Sequence, residues 1–161
     1  MNNAAQLLAI ALRFPVWYGY RGDSPEARAE LYRPTMEAIA EEAKNENEEA
    51  LLLAQAIEDT HLARYVLEGR CLDGPTGQRC DNGRSRGPFQ VGRWCPVGSL
   101  RDEAHCALRA AWSGVARCRG HSLTPWHGAF AGLAARDCHW APAAHRVATM
   151  RRILRELHAA P

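Results

Sequence analysis

Residues 49–59 are almost continuously apolar: Leu51, Leu52, Leu53, Ala54, Ala56 and Ile57 sit close together in one stretch. Such a run predicts a helix buried on most sides rather than one lying on a surface. Near the C-terminus the pattern changes to Val147, Met150, Leu154 and Leu157, a spacing that gives a helix one core-facing stripe. Residues 4–14 predict a short helix, ended by Phe14-Pro15 and a turn through Tyr20-Arg21-Gly22. Asp23 and Glu26 flank Pro25 as a capping-box-like start for the next helix. Pro34 is expected to interrupt it, leaving Thr35 to Asn45 as a separate charged helix. The acidic run from Glu41-Glu42 through Glu48-Glu49 is expected to be a solvated face and turn.

Between Gly69 and Gly92 the pattern breaks, with six glycines, two prolines and two cysteines. That composition predicts hairpin and loop structure. Helices resume at Ser99 to Ala116, where Ser99 and Asp102 form a capping box. Two more follow, Thr124-Pro125 to Ala135 and Pro142 to His158, each opened by a proline suited to the first helical position. The expected fold is therefore mainly α (α+β), with one small β-hairpin module inserted after the third or fourth helix. The chain divides into an N-terminal helical segment, 1–48, and a region 49–161, within one compact domain. Residues 1–48 could cover a groove, recognise a partner or complete the core.

Composition narrows the classes. At 161 residues, 47% hydrophobic and 24% charged, the chain suits one domain with a real core. No apolar run approaches the roughly 20 residues that cross a bilayer. Leu7 to Leu12 is too short to span and lacks a preceding basic stretch, so it is expected to be a packed helix, not a signal peptide. The net charge of +2 hides an asymmetry. From Asp23 to Glu68 twelve acids face Arg28, Arg33, Lys44 and Arg64, and from Gly69 onward six acids face fourteen arginines. A basic second half suits a polyanionic polymer such as the bacterial cell wall, although scattered arginines also simply solvate a surface. Nucleic acid is not expected, because no compact basic cluster with interleaved aromatics is present.

Six cysteines (Cys71, Cys80, Cys95, Cys106, Cys118, Cys138) without a C-x-x-C pair read first as disulfides and hence an oxidising workplace. Cys71 and Cys80 bracket a turn-rich loop that a bridge would pin; the other four cannot be paired from sequence. Zinc is the rival use, with His121, His127 and His139 as further ligands, but no spacing matches a zinc pattern, so neither metal nor cofactor is expected. Trp94, Trp112, Trp126 and Trp140 are read as core first and sugar-stacking surfaces second. His127 and His145 lack a Ser or Cys partner for a triad.

Glu58 ends the apolar helix beside Ile57. A helix C-terminus and apolar surroundings both disfavour an ionised carboxylate, which is what a general acid near neutral pH requires. Downstream stands Ser85-Arg86-Gly87-Pro88-Phe89-Gln90, and later Ala129-Phe130-Ala131-Gly132. With these residues the chain resembles the lysozyme-like superfamily, especially lytic transglycosylases and goose-type lysozymes. In those, a helix-end acid (often E-S) is followed by G-x-x-Q and then a Y-N-A-G-like helix. The G-P-F-Q string is also similar to that of invertebrate-type lysozymes. The likeness runs from about Leu51 to Leu133.

The resemblance implies a peptidoglycan glycosidase cleaving the linkage between N-acetylmuramic acid and N-acetylglucosamine. It makes Glu58 the acid/base, with Glu68 as rival. Ser85 and Gln90 become groove residues, Gly87 a point of close backbone approach, and Phe89 and Phe130 part of the substrate site. Phe130 departs from the family tyrosine, since it has no hydroxyl. A hydrolase would use a second carboxylate, for which Asp73 or Asp81 lie in the right region; both also fit ordinary turn sequences. A transglycosylase needs none. The implied partner is the glycan strand, in periplasm or cell wall; with no signal peptide evident, a phage lysin, a virion-carried enzyme or a cargo of a secretion apparatus is expected. The alternative is a non-catalytic lysozyme-like module for glycan binding or particle structure.

Overall fold

The computed structural model describes residues 3–15, 20, 22–69, 72–73, 78–79, 85–92, 94–96, 98–121, 124–134 and 137–159. Among the described residues seven helices carry the fold: α1 (Ala4–Ala11), α2 (Pro25–Glu42), α3 (Glu46–Thr60), α4 (Arg64–Leu67), α5 (Leu100–Arg117), α6 (Pro125–Ala134) and α7 (Ala143–Ala159). Between α4 and α5 lie two short antiparallel pairs. The strands β1 (Leu72–Asp73) and β2 (Gln78–Arg79) form one, and β3 (Ser85–Arg86) and β4 (Val91–Gly92) the other. The mainly α architecture with a small hairpin module is as the sequence pattern expects. Among the described residues no helix is long and apolar enough to cross a membrane.

The apolar stretch of α3 runs through the middle of the molecule, with every residue from Glu48 to Ile57 buried. Around it pack α7, through Val147, Met150 and Ile153, and α2, through Tyr32, Met36 and Ile39. Leu7 and Ile10 of α1 join the same cluster, as do Phe89 and Val91 of the hairpin. Residues 1–48 thus contribute directly to a core shared with the rest of the chain. On the last helix Ile153 is fully buried and Leu154 only partly, so the stripe lies one residue from the expected Leu154.

Several local expectations are corrected. The helix α2 passes through Pro34 without a break. Its apolar residues on both sides of the proline face one core, and that burial outweighs the lost backbone hydrogen bond. The side chain that caps α2 is Ser24, which accepts from the Ala27 N–H, rather than Asp23. Glu48 and Glu49 are buried, not solvated. Glu48 accepts from the Lys44 backbone N–H and from the Trp112 indole, and Glu49 from the Asn3 amide. Both carboxylates therefore stitch neighbouring elements to the start of α3, where the helix dipole favours negative charge.

The helix α5 begins as its capping box predicts, with the Ser99 hydroxyl accepting from the Asp102 N–H. It lies against α6 with almost no side chain between the backbones. A Cβ on Gly114 would stand 2.3 Å from the Gly128 carbonyl, and one on Gly132 would stand 2.6 Å from the Ala110 carbonyl. Two disulfides close on α5, Cys95–Cys106 and Cys118–Cys138. Cys71, Cys80 and Asp81 lie outside the described residues, so the expected Cys71–Cys80 bridge does too.

Candidate functional site

The last turn of α3 ends abruptly. His61 and Leu62 both take left-handed backbone conformations, at φ 51°, and Thr60 secures the reversal. Its hydroxyl donates to the Ala56 carbonyl and accepts from the Leu62 N–H. The Tyr20 hydroxyl donates to the Leu62 carbonyl and holds the exit of the helix. This sharp stop brings Asp59 and Thr60 to the edge of a cavity of about 400 Å³.

The cavity has a floor and two walls. Asp59 and Thr60 of α3, with Arg146 of α7, form the floor. Ser85 of β3 and Gln90 of the β3–β4 turn make one wall, beside Tyr65 and Val66 of α4. Leu133 and Ala134 of α6 and the following Trp140 make the other. Aromatic rings, a hydroxyl, an amide and a carboxylate converging on one concave surface is the composition of a sugar or small-ligand site.

The floor is a closed polar network. The Arg146 guanidinium donates to the Gln55 side-chain carbonyl at 3.0 Å and to the Asp59 carboxylate at 3.2 Å. Gln55 is buried and donates its amide to Asp59 at 3.1 Å, with a longer contact to the Phe89 carbonyl at 3.4 Å. Asp59 thus receives a donor on each oxygen, a pattern suited to the anion. The Arg146 guanidinium lies over the Trp140 ring, 4.8 Å from its centroid, a cation–π contact that orients the wall on the floor.

Of the residues singled out from sequence, Ser85 and Gln90 are brought together in this cavity. Gln90 sits at φ 51°, a strained setting for a non-glycine residue, and both its backbone N–H and its side-chain amide donate to the Gly87 carbonyl. Glu58 is elsewhere. It accepts from the Thr149 hydroxyl and lies 3.2 Å from the His145 ring, where α3 meets α7. It is not among the described residues that line the cavity. The reason is rotational, since neighbouring helix positions project about 100° apart. A one-residue offset therefore puts Asp59 in the cavity lining and leaves Glu58 out of it.

Glu68 is exposed and lies 3.5 Å from Arg64, away from the cavity lining. Asp73 pairs through its backbone with Gln78 in the first hairpin. Phe89 and Phe130 are 1% and 0% exposed, so both are core residues and not sugar contacts, a correction driven by their apolar bulk. Gly87 also has a different job from the expected one. At φ 70° its open side faces Glu103 of α5, whose Oε2 would stand 2.0 Å from a Cβ. The close approach there is to a buried carboxyl, not to a ligand.

Glu103 lies under the hairpin with its Oε1 in a long ion pair, 3.8 Å from the Arg86 Nε, and among the described residues neither that Nε nor the buried Glu103 Oε2 has a hydrogen-bond partner. Burial raises its pKa from 4.5 to about 7, against the lowering pull of Arg86. Sequence reasoning missed Asp59, Thr60, Tyr65 and Arg146, and gave Trp140 no specific role. One signal for Arg146 was present: 146, 150, 153 and 157 share a helix face, and an arginine on an otherwise apolar face marks a buried charge. Among the described residues no cluster of three or more His, Cys, Asp or Glu side chains could hold a metal ion. No family model, curated protein or solved structure matches this chain.

Proposed function

We propose that the protein is a peptidoglycan-directed glycosidase, lysozyme or lytic transglycosylase, whose groove carboxylate is Asp59. The observation that carries this reading is the meeting of Asp59 with Ser85, Gln90 and Trp140 around one cavity. In this assignment Trp140 and Tyr65 offer faces for sugar rings, and Ser85 and Gln90 offer hydrogen bonds to an N-acetyl sugar. Asp59 acts as the acid/base at the scissile linkage, and the Arg146 and Gln55 bonds hold it in the resting state. The shorter aspartate side chain takes the helix-end place that the resemblance gives to glutamate. The two described disulfides support work in an oxidising setting such as periplasm, cell wall or a virion.

A second reading is favoured by the same network. With both oxygens of Asp59 engaged and no tyrosine hydroxyl at position 130, the cavity suits a module that holds a glycan strand without cutting it. Zymography on purified peptidoglycan separates the two. The glycosidase reading expects clearing by the wild-type protein, reduced by about 10²-fold or more in Asp59→Asn and retained in Glu58→Gln. Sacculus binding with no clearing by any of the three proteins would favour the binding module. Clearing that survives Asp59→Asn but not Glu58→Gln would return the acid to the α7 side of the helix. Mass spectrometry of fragments then assigns mechanism: an anhydro end marks a transglycosylase, a reducing end a hydrolase.

A further inference from the structure

The two described disulfides end on one helix and lead to two different segments that line the cavity. Cys95, three residues beyond β4, is joined to Cys106 in the first half of α5. Cys118, which caps the C-terminus of α5, is joined to Cys138, two residues before Trp140. No described residue of α5 lines the cavity, yet both walls are tied to it.

The walls differ in what else holds them. The hairpin is anchored by Phe89 and Val91 in the core, and the Arg86 guanidinium donates to the Cys95 carbonyl at 2.6 Å. Among the described residues the chain path of the Trp140 segment is held by local bonds, from Trp140 N–H to the Asp137 carbonyl, from His139 N–H to the Asp137 carboxylate and from Ala143 N–H to the Trp140 carbonyl. Beyond these, its half-buried ring packs at the margin of the core and meets Arg146. The helix frame behind it needs no such help, because α5 and α6 interlock at Gly114 and Gly132 and α3 packs on α7 through the core.

We propose that the cavity is redox-armed: the Cys118–Cys138 disulfide sets the Trp140 wall, and a dithiol reductant disassembles that wall while the helical frame stays folded. The thiolate of the reductant attacks one sulfur, giving a mixed disulfide and a free cysteine thiolate. Its second thiol displaces the other sulfur, so Cys118 and Cys138 gain two electrons and two protons and the reductant leaves as its cyclic disulfide. The chain from 118 to 138 is then no longer closed, and the Trp140 segment regains the freedom that closure removed. The inference rests on reading the cavity as a glycan site and concerns when that site is assembled.

The test compares oxidised and dithiothreitol-reduced full-length protein by hydrogen exchange and by retention on purified sacculi. Reduction is expected to speed exchange across residues 137–141 by about tenfold or more, with α3 and the body of α7 still protected, and to lower retention. The Cys118→Ser/Cys138→Ser pair should behave as reduced protein under oxidising conditions and ignore the reductant. The Cys95→Ser/Cys106→Ser pair should stay reductant-sensitive, with far-UV circular dichroism confirming that each variant folds. Unchanged exchange at 137–141 on reduction overturns the proposal, as does loss of protection throughout α3 and α7. If 137–141 loosens but neither form binds or clears sacculi, the disulfide control stands and the glycan reading fails.

Discussion

Two arginine–carboxylate pairs flank the cavity, and they are built differently. At the floor, Arg146 reaches Asp59 at 3.2 Å, and Gln55 joins both partners into a closed set. Under the hairpin wall, the Arg86 Nε lies 3.8 Å from the Glu103 Oε1, and among the described residues neither that Nε nor the buried Glu103 Oε2 has a hydrogen-bond partner. The first pair exchanges the hydration of its charges for protein hydrogen bonds. The second meets the cost of burial without the full return, and the raised pKa of Glu103 records it. A buried charge pair is therefore not one kind of object. What matters is whether every polar atom in it has found a partner.

Breaking the floor should produce the largest loss of stability. Arg146→Met keeps an aliphatic stem on the apolar face of α7 but strips the donor from both Gln55 and Asp59. We expect a destabilisation of about 3 kcal/mol, read as a lower urea midpoint at unchanged slope. The wall should feel it too, since Trp140 loses the cation over its ring. A shift of a few tenths of a kcal/mol would mean that the network is ornamental and that α7 packing alone holds the floor. Adding Asp59→Asn to Arg146→Met should recover part of the loss, because the orphaned carboxylate becomes neutral.

Much of this frame was legible from residue pattern. The buried α3, the capping box at Ser99, the stripe on α7 and the glycine-rich hairpin each follow from local rules whose signals stand in consecutive residues. Pro34 misled because a single lost hydrogen bond is weighed against core burial that only the tertiary structure defines. The site was half legible. Ser85 and Gln90 carry a recognisable string, but the carboxylate beside them depends on helix phase, and Glu58-Asp59 offers two acids about 100° apart with nothing local to choose between them. Glu103 was invisible for a related reason. Its burial comes from the hairpin folding back over α5, a contact between segments that no spacing along the chain encodes.

The wall pair should show itself as a pH dependence. Glu103 has a folded-state pKa of about 7 against an ordinary 4.5, so the folded protein holds this proton more tightly than the unfolded chain does. Its contribution is fully present below pH 4.5 and is lost as pH rises through 7. Glu103→Gln cannot ionise, so its stability curve should flatten relative to wild type across that window, gaining on wild type as pH rises. Every other ionisable group is the same in both proteins, so the difference between the two curves isolates Glu103. Parallel curves from pH 4 to 8 would show that the carboxyl reaches solvent or closes fully on Arg86.

Glu58→Gln gives the reference against which both buried pairs are measured. Its imidazole partner His145 is 76% exposed, so the ion pair is screened by water and contributes little. The Thr149 hydroxyl can still donate to the new side-chain carbonyl, which preserves the hydrogen bond that crosses from α7. The expected cost is below about 1 kcal/mol, with no change in sacculus clearing. One helix turn then carries two neighbouring acids of different consequence, one bonded by Arg146 and Gln55 in the cavity lining and one bonded to Thr149 and paired with His145 outside it. A loss at Glu58 as large as that at Arg146 would erase the distinction, because it would show that the Glu58–Thr149 bond anchors α7 as firmly as the Arg146 network does.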